Sequence, residues 1–187
     1  MTNIIGDIRH VEIVTALGSI RVRIDVAAAP ITAMNFLTYV DLGLFNRTEF
    51  YRIVAPCNQI GQEVPINVIQ GGFREDIKAP RPCIKHEPTT ETGLHHRDGA
   101  ISMARFAPGT AAGAFFICVG DQPVLDHGGS RNPDGEGFAA FGHVVSGMNI
   151  VRSIWARAEE DAFIRQPVPI LSAAVITDGL QPPPKGG

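Results

Sequence analysis

Apolar and charged side chains alternate without interruption through Ile20-Arg21-Val22-Arg23-Ile24-Asp25-Val26. A period of two puts one face on a core and the other in water, so this run predicts a half-buried β-strand. Val11-Glu12-Ile13-Val14 predicts the strand before it, and Leu17-Gly18-Ser19 the hairpin turn between them. The period then changes. Ala33, Phe36, Leu37 and Val40 fall on one helical stripe behind Pro30, with Gly43 as a stop. Short strand-like runs follow at 49–54, 68–70, 99–103, 115–119 and 140–145. A second helix starts near Met148, with Ile150, Val151, Ile154 and Trp155 on one side, and 170–177 reads as the last strand.

The pattern amounts to about eight strands and two helices, enough to close a small antiparallel barrel that fills with side chains. One domain is expected over residues 1–180, with the Pro/Gly-rich stretch 181–187 as a disordered tail. Three irregular stretches, 55–66, 73–97 and 128–137, are expected to be functional rims.

Composition narrows the function. The 187 residues are 44% hydrophobic and 19% charged, which supports a packed core and excludes wholesale disorder. The net charge of -3 argues against a nucleic-acid partner and against a polybasic membrane anchor. No run approaches the roughly 20 apolar residues that cross a bilayer. The odd set Cys57, Cys83 and Cys118 argues against a disulfide framework. The first residues lack a basic and then apolar leader, so the cytoplasm is the expected location. Without a heptad seam, a monomer is the default.

The usual chemistry is missing. Cys83-x-x-His86 with His95-His96 sketches a zinc site, but the spacing fits no strong pattern and adjacent histidines tend to point apart. No metal is expected. Cys57 has no evident histidine partner, and Cys118 lies in the apolar run Phe115-Phe116-Ile117-Cys118-Val119. No nucleophile elbow occurs, and Gly71-Gly72 lacks the following Lys-Ser/Thr of a phosphate loop, so no cofactor is expected. Glu159-Glu160-Asp161 reads as a solvated helix end. Arg52 in Phe50-Tyr51-Arg52-Ile53-Val54 and Gln70 in Val68-Ile69-Gln70-Gly71-Gly72 are polar in apolar runs. Periodicity alone favours both facing solvent.

The order of motifs adds to this. Ala29-Pro30-Ile31-Thr32-Ala33-Met34-Asn35-Phe36, the two strands just quoted, Ser102-Met103-Ala104-Arg105 and Ala114-Phe115-Phe116-Ile117 occur in series. Leu125-Asp126 and Phe141-Gly142-His143-Val144-Val145-Ser146-Gly147-Met148 complete it. Over residues 10–178 the chain resembles the cyclophilins, peptidyl-prolyl cis–trans isomerases, in their bacterial form. The resemblance implies a closed eight-stranded barrel capped by two helices. It turns Arg52 and Gln70 into a catalytic pair facing a substrate groove. It implies that Val68, Ala104, Phe116, Leu125 and Phe138 line that groove, with Phe116 in the proline pocket. It also implies that proline-containing peptides or unfolded proteins are the partners.

The sequence departs from the family at the groove. Asn67 and Val68 replace an aromatic and a methionine, Ala114 a glutamine, Val124 the tryptophan of many eukaryotic members, and Phe138 a histidine. A shifted peptide preference and weak cyclosporin binding are the expected consequences. Residues 55–66 make that loop about ten residues longer than the compact family form, either a substrate-selecting rim or a tolerated insertion, since loop length costs little closure entropy. Two rivals stand beside an active isomerase. One is a peptide-binding or chaperone module with vestigial activity, and the other a metal enzyme using Cys83 and the histidines.

Overall fold

In a computed structural model, residues 8–74 and 78–176 are described. The expected tail 181–187 and the last residue of the expected final strand lie outside them. The strands are β1 (Ile8–Thr15), β2 (Gly18–Asp25), β3 (Glu49–Val54), β4 (Val68–Gly72), β5 (Ala100–Met103), β6 (Ala114–Cys118), β7 (Ala139–Ser146) and β8 (Phe163–Ile176). They close into an antiparallel barrel in the order β1-β2-β7-β5-β6-β4-β3-β8. The helices are α1 (Pro30–Asp41), α2 (Thr89–Thr92) and α3 (Met148–Trp155). The short α2 joins the two expected helices. The acidic run does not end a helix. It follows α3 as a loop, with Glu159 paired to Arg165 at 2.7 Å.

The barrel fills from the alternating strands. Val11 and Ile13 of β1 meet Ile20, Val22 and Ile24 of β2, all essentially without solvent contact. Phe36 of α1 reaches into this interior and lies 5.1–5.4 Å from the rings of Phe45, Phe115 and Phe141. Each such ring contributes roughly 1.5–3 kcal/mol through burial.

The first turn of α1 carries no capping side chain of its own. Its orphan N–H groups are met from far along the chain. The buried Glu87 carboxylate accepts from the N–H groups of Ile31 and Thr32, at 3.1 and 2.7 Å, and from the Thr32 hydroxyl at 2.6 Å. This contact pins the irregular stretch 73–97 against the barrel.

Candidate active site

β3 and β4 would ordinarily place Tyr51 opposite Gln70. A register shift between Phe50 and Arg52 makes Tyr51 the extra residue of a bulge, so Arg52 pairs with Gln70 instead. Directly opposed residues share a sheet face, and here the face is the outer one. The Arg52 guanidinium donates to Gln70 Oε1 at 2.8 Å. Gln70 Nε2 donates to the Tyr51 hydroxyl at 2.9 Å, and that hydroxyl donates to the Phe73 carbonyl at 3.4 Å. The chain of bonds fixes the glutamine amide and, through it, one edge of the arginine. On its other side Arg52 lies over the Phe163 ring, 5.7 Å from the centroid.

Arg52, Val68, Gln70, Ala104, Phe116, Leu125 and Phe138 line one cavity, together with Ile66 and Arg105. Its volume is about 70 Å³, well under the roughly 300–1,000 Å³ of common ligand pockets. It suits a small ring held beside a cation. A larger cavity of about 280 Å³ adjoins it, sharing Ala104 and Arg105 and adding Phe73, Cys83 and Phe106. That cavity lacks both Arg52 and Gln70, which meet only at the smaller one. Gln70 is buried and Arg52 half-buried, which corrects the solvent-facing reading that periodicity favoured.

The apolar floor is braced from behind. Phe116 meets Phe138 edge-on at 5.3 Å and stacks on His96 at 5.9 Å. His96 Nδ1 donates to Asp126 Oδ1 at 2.6 Å, and its Nε2 lies 2.9 Å from Ser102 Oγ. Such a Ser-His-Asp series suggests acyl chemistry, but Ser102 and His96 are 0% and 1% exposed, so no substrate reaches the hydroxyl. The series is a buttress for Phe116. His95 Nδ1 also donates to Asp126, at 2.9 Å, so the adjacent histidines converge on one carboxylate where they were expected to point apart. Burial alone would raise the Asp126 carboxyl, but hydrogen bonds from His96 and His95 outweigh it and hold it at about 2.

The Phe138 wall has its own brace. The Arg105 side chain, 1% exposed, forms a two-pronged pair with Asp134 at 2.8 and 2.9 Å and donates to the Gly137 carbonyl. Its guanidinium lies 5.2 Å from the Phe138 centroid. Asp134 is held down to about 2 by the Arg105 bonds and the Glu136 N–H.

Residues 55–66 are tied into the site. Gln59, buried, brackets the main chain of Ile66, donating to its carbonyl at 2.6 Å and accepting from its N–H at 2.8 Å. Asn58 bridges the carbonyls of Ile53 and Glu159. Ile66 therefore enters the cavity wall from the loop's end. Neither Ile66 nor the bracing roles of Tyr51, His96 and Arg105 emerges from sequence reasoning. Arg105 and Asp126 stood in the quoted motifs without a role, and Ile66 had only its place beside Asn67 to signal it.

The zinc sketch does not assemble. Cys83 is exposed, and His86 Nε2 lies 3.0 Å from the Glu136 carbonyl, away from the pair on Asp126. Among the described residues no three His, Cys, Asp or Glu side chains gather to hold a metal.

The chain is similar to known proteins along most of its length. Residues 10–175 match the family model for the cyclophilin type peptidyl-prolyl cis-trans isomerase. Peptidyl-prolyl cis-trans isomerase A of Dickeya dadantii is 37% identical over 164 residues, covering 86% of this chain and 78% of that one. The cyp18 isomerase of Streptomyces antibioticus is 32% identical over 173 residues, covering 89% and 98%. A cyclophilin of Cryptosporidium parvum, solved also in the presence of the dipeptide Ala-Pro, superposes with a TM-score of 0.73 at 18% identity, over 91% of this chain and 99% of its own. With the family model spanning nearly the whole barrel and bacterial isomerases matching along most of it, the chain belongs to the cyclophilin-type peptidyl-prolyl cis–trans isomerases.

Proposed function

We propose that the chain turns X–Pro bonds at the Arg52 cavity by stabilising the twisted amide. Rotation about a peptide bond is opposed by resonance, with a barrier of about 18–20 kcal/mol. The two isomers of an X–Pro bond are close in energy, so the problem is one of rate. Nothing is transferred, and the protein's task is to bind the twisted bond better than either planar form. In the twist the proline nitrogen loses conjugation and gains a lone pair. A fixed guanidinium donating to that nitrogen favours the twist over the planar states. Gln70 orients the guanidinium and receives a substrate carbonyl or N–H at its remaining capacity, while Phe116 and Leu125 grip the ring. The observation that carries this reading is the bulge that sets Arg52 against Gln70 at the mouth of the Phe116 cavity.

The test is Arg52→Ala on an Ala-Pro peptide, with circular dichroism on both proteins. Losing about 2–4 kcal/mol of selective stabilisation lowers the rate roughly 30- to 1000-fold with the fold intact. Near-normal turnover by a folded variant would overturn the mechanism. The binding-module alternative is not favoured, because the curated relatives are named for the isomerase activity.

The proposal extends to proline-containing peptides or unfolded chains as substrates, to weak cyclosporin binding and to a monomer. Val124 packs at the cavity margin and offers less apolar area than an indole. The closed barrel leaves few open strand edges for association. Titration calorimetry and sedimentation check these, and tight drug binding or a stable dimer would count against them. A reducing, cytoplasmic setting belongs to the same proposal and rests on the free thiols of Cys57, Cys83 and Cys118.

A further inference from the structure

Arg52 and Arg131 flank the groove, and among the described residues neither meets a carboxylate. Arg131 lies in the stretch 128–137, and its N–H donates to the Val124 carbonyl, next to Leu125 of the cavity floor. Its side chain crosses to the other rim and donates to the Val64 carbonyl at 2.7 Å, two residues before Ile66 of the cavity wall. Arg131 thus latches the two long loops together beside the mouth of the proline cavity. It is half-buried there, as is Arg52. Burial first, and then the charge of Arg52, push the Arg131 guanidinium below its usual range. Arg52 thus stands in the cavity wall, and Arg131 spans the mouth between the chain neighbours of Leu125 and Ile66.

Among the described residues nothing neutralises them. Arg52 bonds to an amide oxygen and lies on a ring, and Arg131 bonds to main-chain carbonyl. Among the described residues, neither has a carboxylate partner. Arg105, the third guanidinium at the cavity, shows the contrast, since Asp134 meets it with both oxygens. Glu63, beside Val64, is exposed and forms no ion pair among the described residues. Holding two like charges together, partly desolvated and unpaired, costs folding free energy that an anionic ligand recovers.

We infer that Arg131 is a specificity-determining residue and that the groove prefers X–Pro peptides carrying an acidic side chain beside the proline. This rests on the isomerase reading of the same cavity. An apolar or basic residue at that place would leave the pair uncompensated, or add a third like charge.

The experiment compares peptides that differ only in the residue before proline, Glu, Ala or Lys, by exchange NMR at low and high salt. The intact protein is expected to favour Glu-Pro over Lys-Pro in kcat/KM by about 5- to 10-fold at low salt, with the ratio shrinking as salt screens it. Arg131→Gln keeps a donor for the Val64 carbonyl but loses the charge, and the ratio is expected to fall at least about threefold. Arg131→Lys is expected to restore most of it. A loop latch alone would change all three peptides together and leave the ratio fixed. No Glu preference in the intact protein, or an unchanged ratio in Arg131→Gln, overturns the inference. If Ala-Pro is not turned over at all, the isomerase reading fails. The affinities of the same three peptides, measured by calorimetry, then decide the specificity by the same ratio.

Discussion

β2 and β4 belong to one barrel and follow opposite rules. In β2, buried Ile20, Val22 and Ile24 alternate with Arg21 and Arg23, which meet water. In β4 every residue from Val68 to Gly72 is buried. Its neighbour β6 behaves alike. Phe115 and Ile117 fill the barrel, while Phe116 and Cys118 pack outward with Val68, Ile66 and Leu125 as a second cluster. The difference comes from cover. Ile66 at the end of loop 55–66, with Leu125 and Phe138, packs over the outer face of β4 and β6, whereas among the described residues the outer face of β2 stays open to water. A strand wall that is apolar on both faces is where this barrel keeps its groove. Its inner face supplies rigidity and its outer face supplies the pocket.

The largest expected effect separates the two faces. Phe115 and Phe116 are adjacent, the same size and 1% and 4% exposed. Phe115→Ala empties the space between Phe36, Phe45 and Phe50 and is expected to cost about 3–5 kcal/mol in urea unfolding. Phe116→Ala opens onto the groove, where water fills the gap, and is expected to cost about half as much or less. It is expected to lower kcat/KM by at least about tenfold, one 1.4 kcal/mol step of transition-state binding. Equal stability losses would mean that the two faces form one core and that the comparison fails.

Acid probes the same division next. Among the described residues apolar side chains fill the barrel interior, with the buried Glu87 carboxylate at its α1 cap, whereas the pocket floor leans on His96 and hence on Asp126. The Asp126 carboxyl is lower in the folded protein than its ordinary value of 3.8. Its contribution is therefore complete above about pH 4 and is lost as the pH falls towards about 2. On the order of 2 kcal/mol is at stake. Urea midpoints between pH 6 and pH 2.5 are expected to fall more steeply for the intact protein than for Asp126→Asn. Parallel slopes would show that the buttress adds nothing.

The one-sided strands were legible in the sequence and the two-sided ones only as apolar runs. The alternation of β2 announces which residues point inward. A continuous run such as Phe115-Phe116-Ile117-Cys118 cannot say which of its faces is the site. Periodicity rightly turned Arg52 and Gln70 outward but left them in solvent, because the cover that encloses them comes from Ile66 and, far along the chain, from Leu125 and Phe138. The bulge that sets Arg52 against Gln70 is announced by no residue type. Only the family's order of motifs put the pair in a groove. β8 begins at Phe163, seven residues ahead of expectation, because Arg165, Gln166, Pro167 and Pro169 break the strand pattern. Proline lacks the N–H of a ladder, yet here the segment still pairs through Phe163 with Arg52 and Val168 with Phe50. The convergence of His95 and His96 on Asp126 joins residues thirty positions apart, beyond any local pattern.

The smallest expected effect tests whether the cover over β4 is part of the pocket or only lies on it. Gln59 acts as a strand partner for one residue, exchanging both main-chain bonds with Ile66 while Ile60 beside it is 91% exposed. Removing the amide in Gln59→Ala leaves a buried N–H and carbonyl without partners, a cost of about 1–3 kcal/mol that the loop escapes by opening to water. The opening is local, because Asn58 and Trp155 hold the loop's start to Ile53, Glu159 and Val54. Amide exchange at Ile66 is then expected to accelerate by more than about tenfold with the midpoint of global unfolding little changed. KM is expected to rise about two- to fivefold at constant kcat, since Ile66 touches the bound ring equally in the planar and twisted states. If exchange at Ile66 accelerates and KM stays put, the loop covers β4 without shaping the pocket. The outer face of the wall would then owe its burial and its binding to different residues.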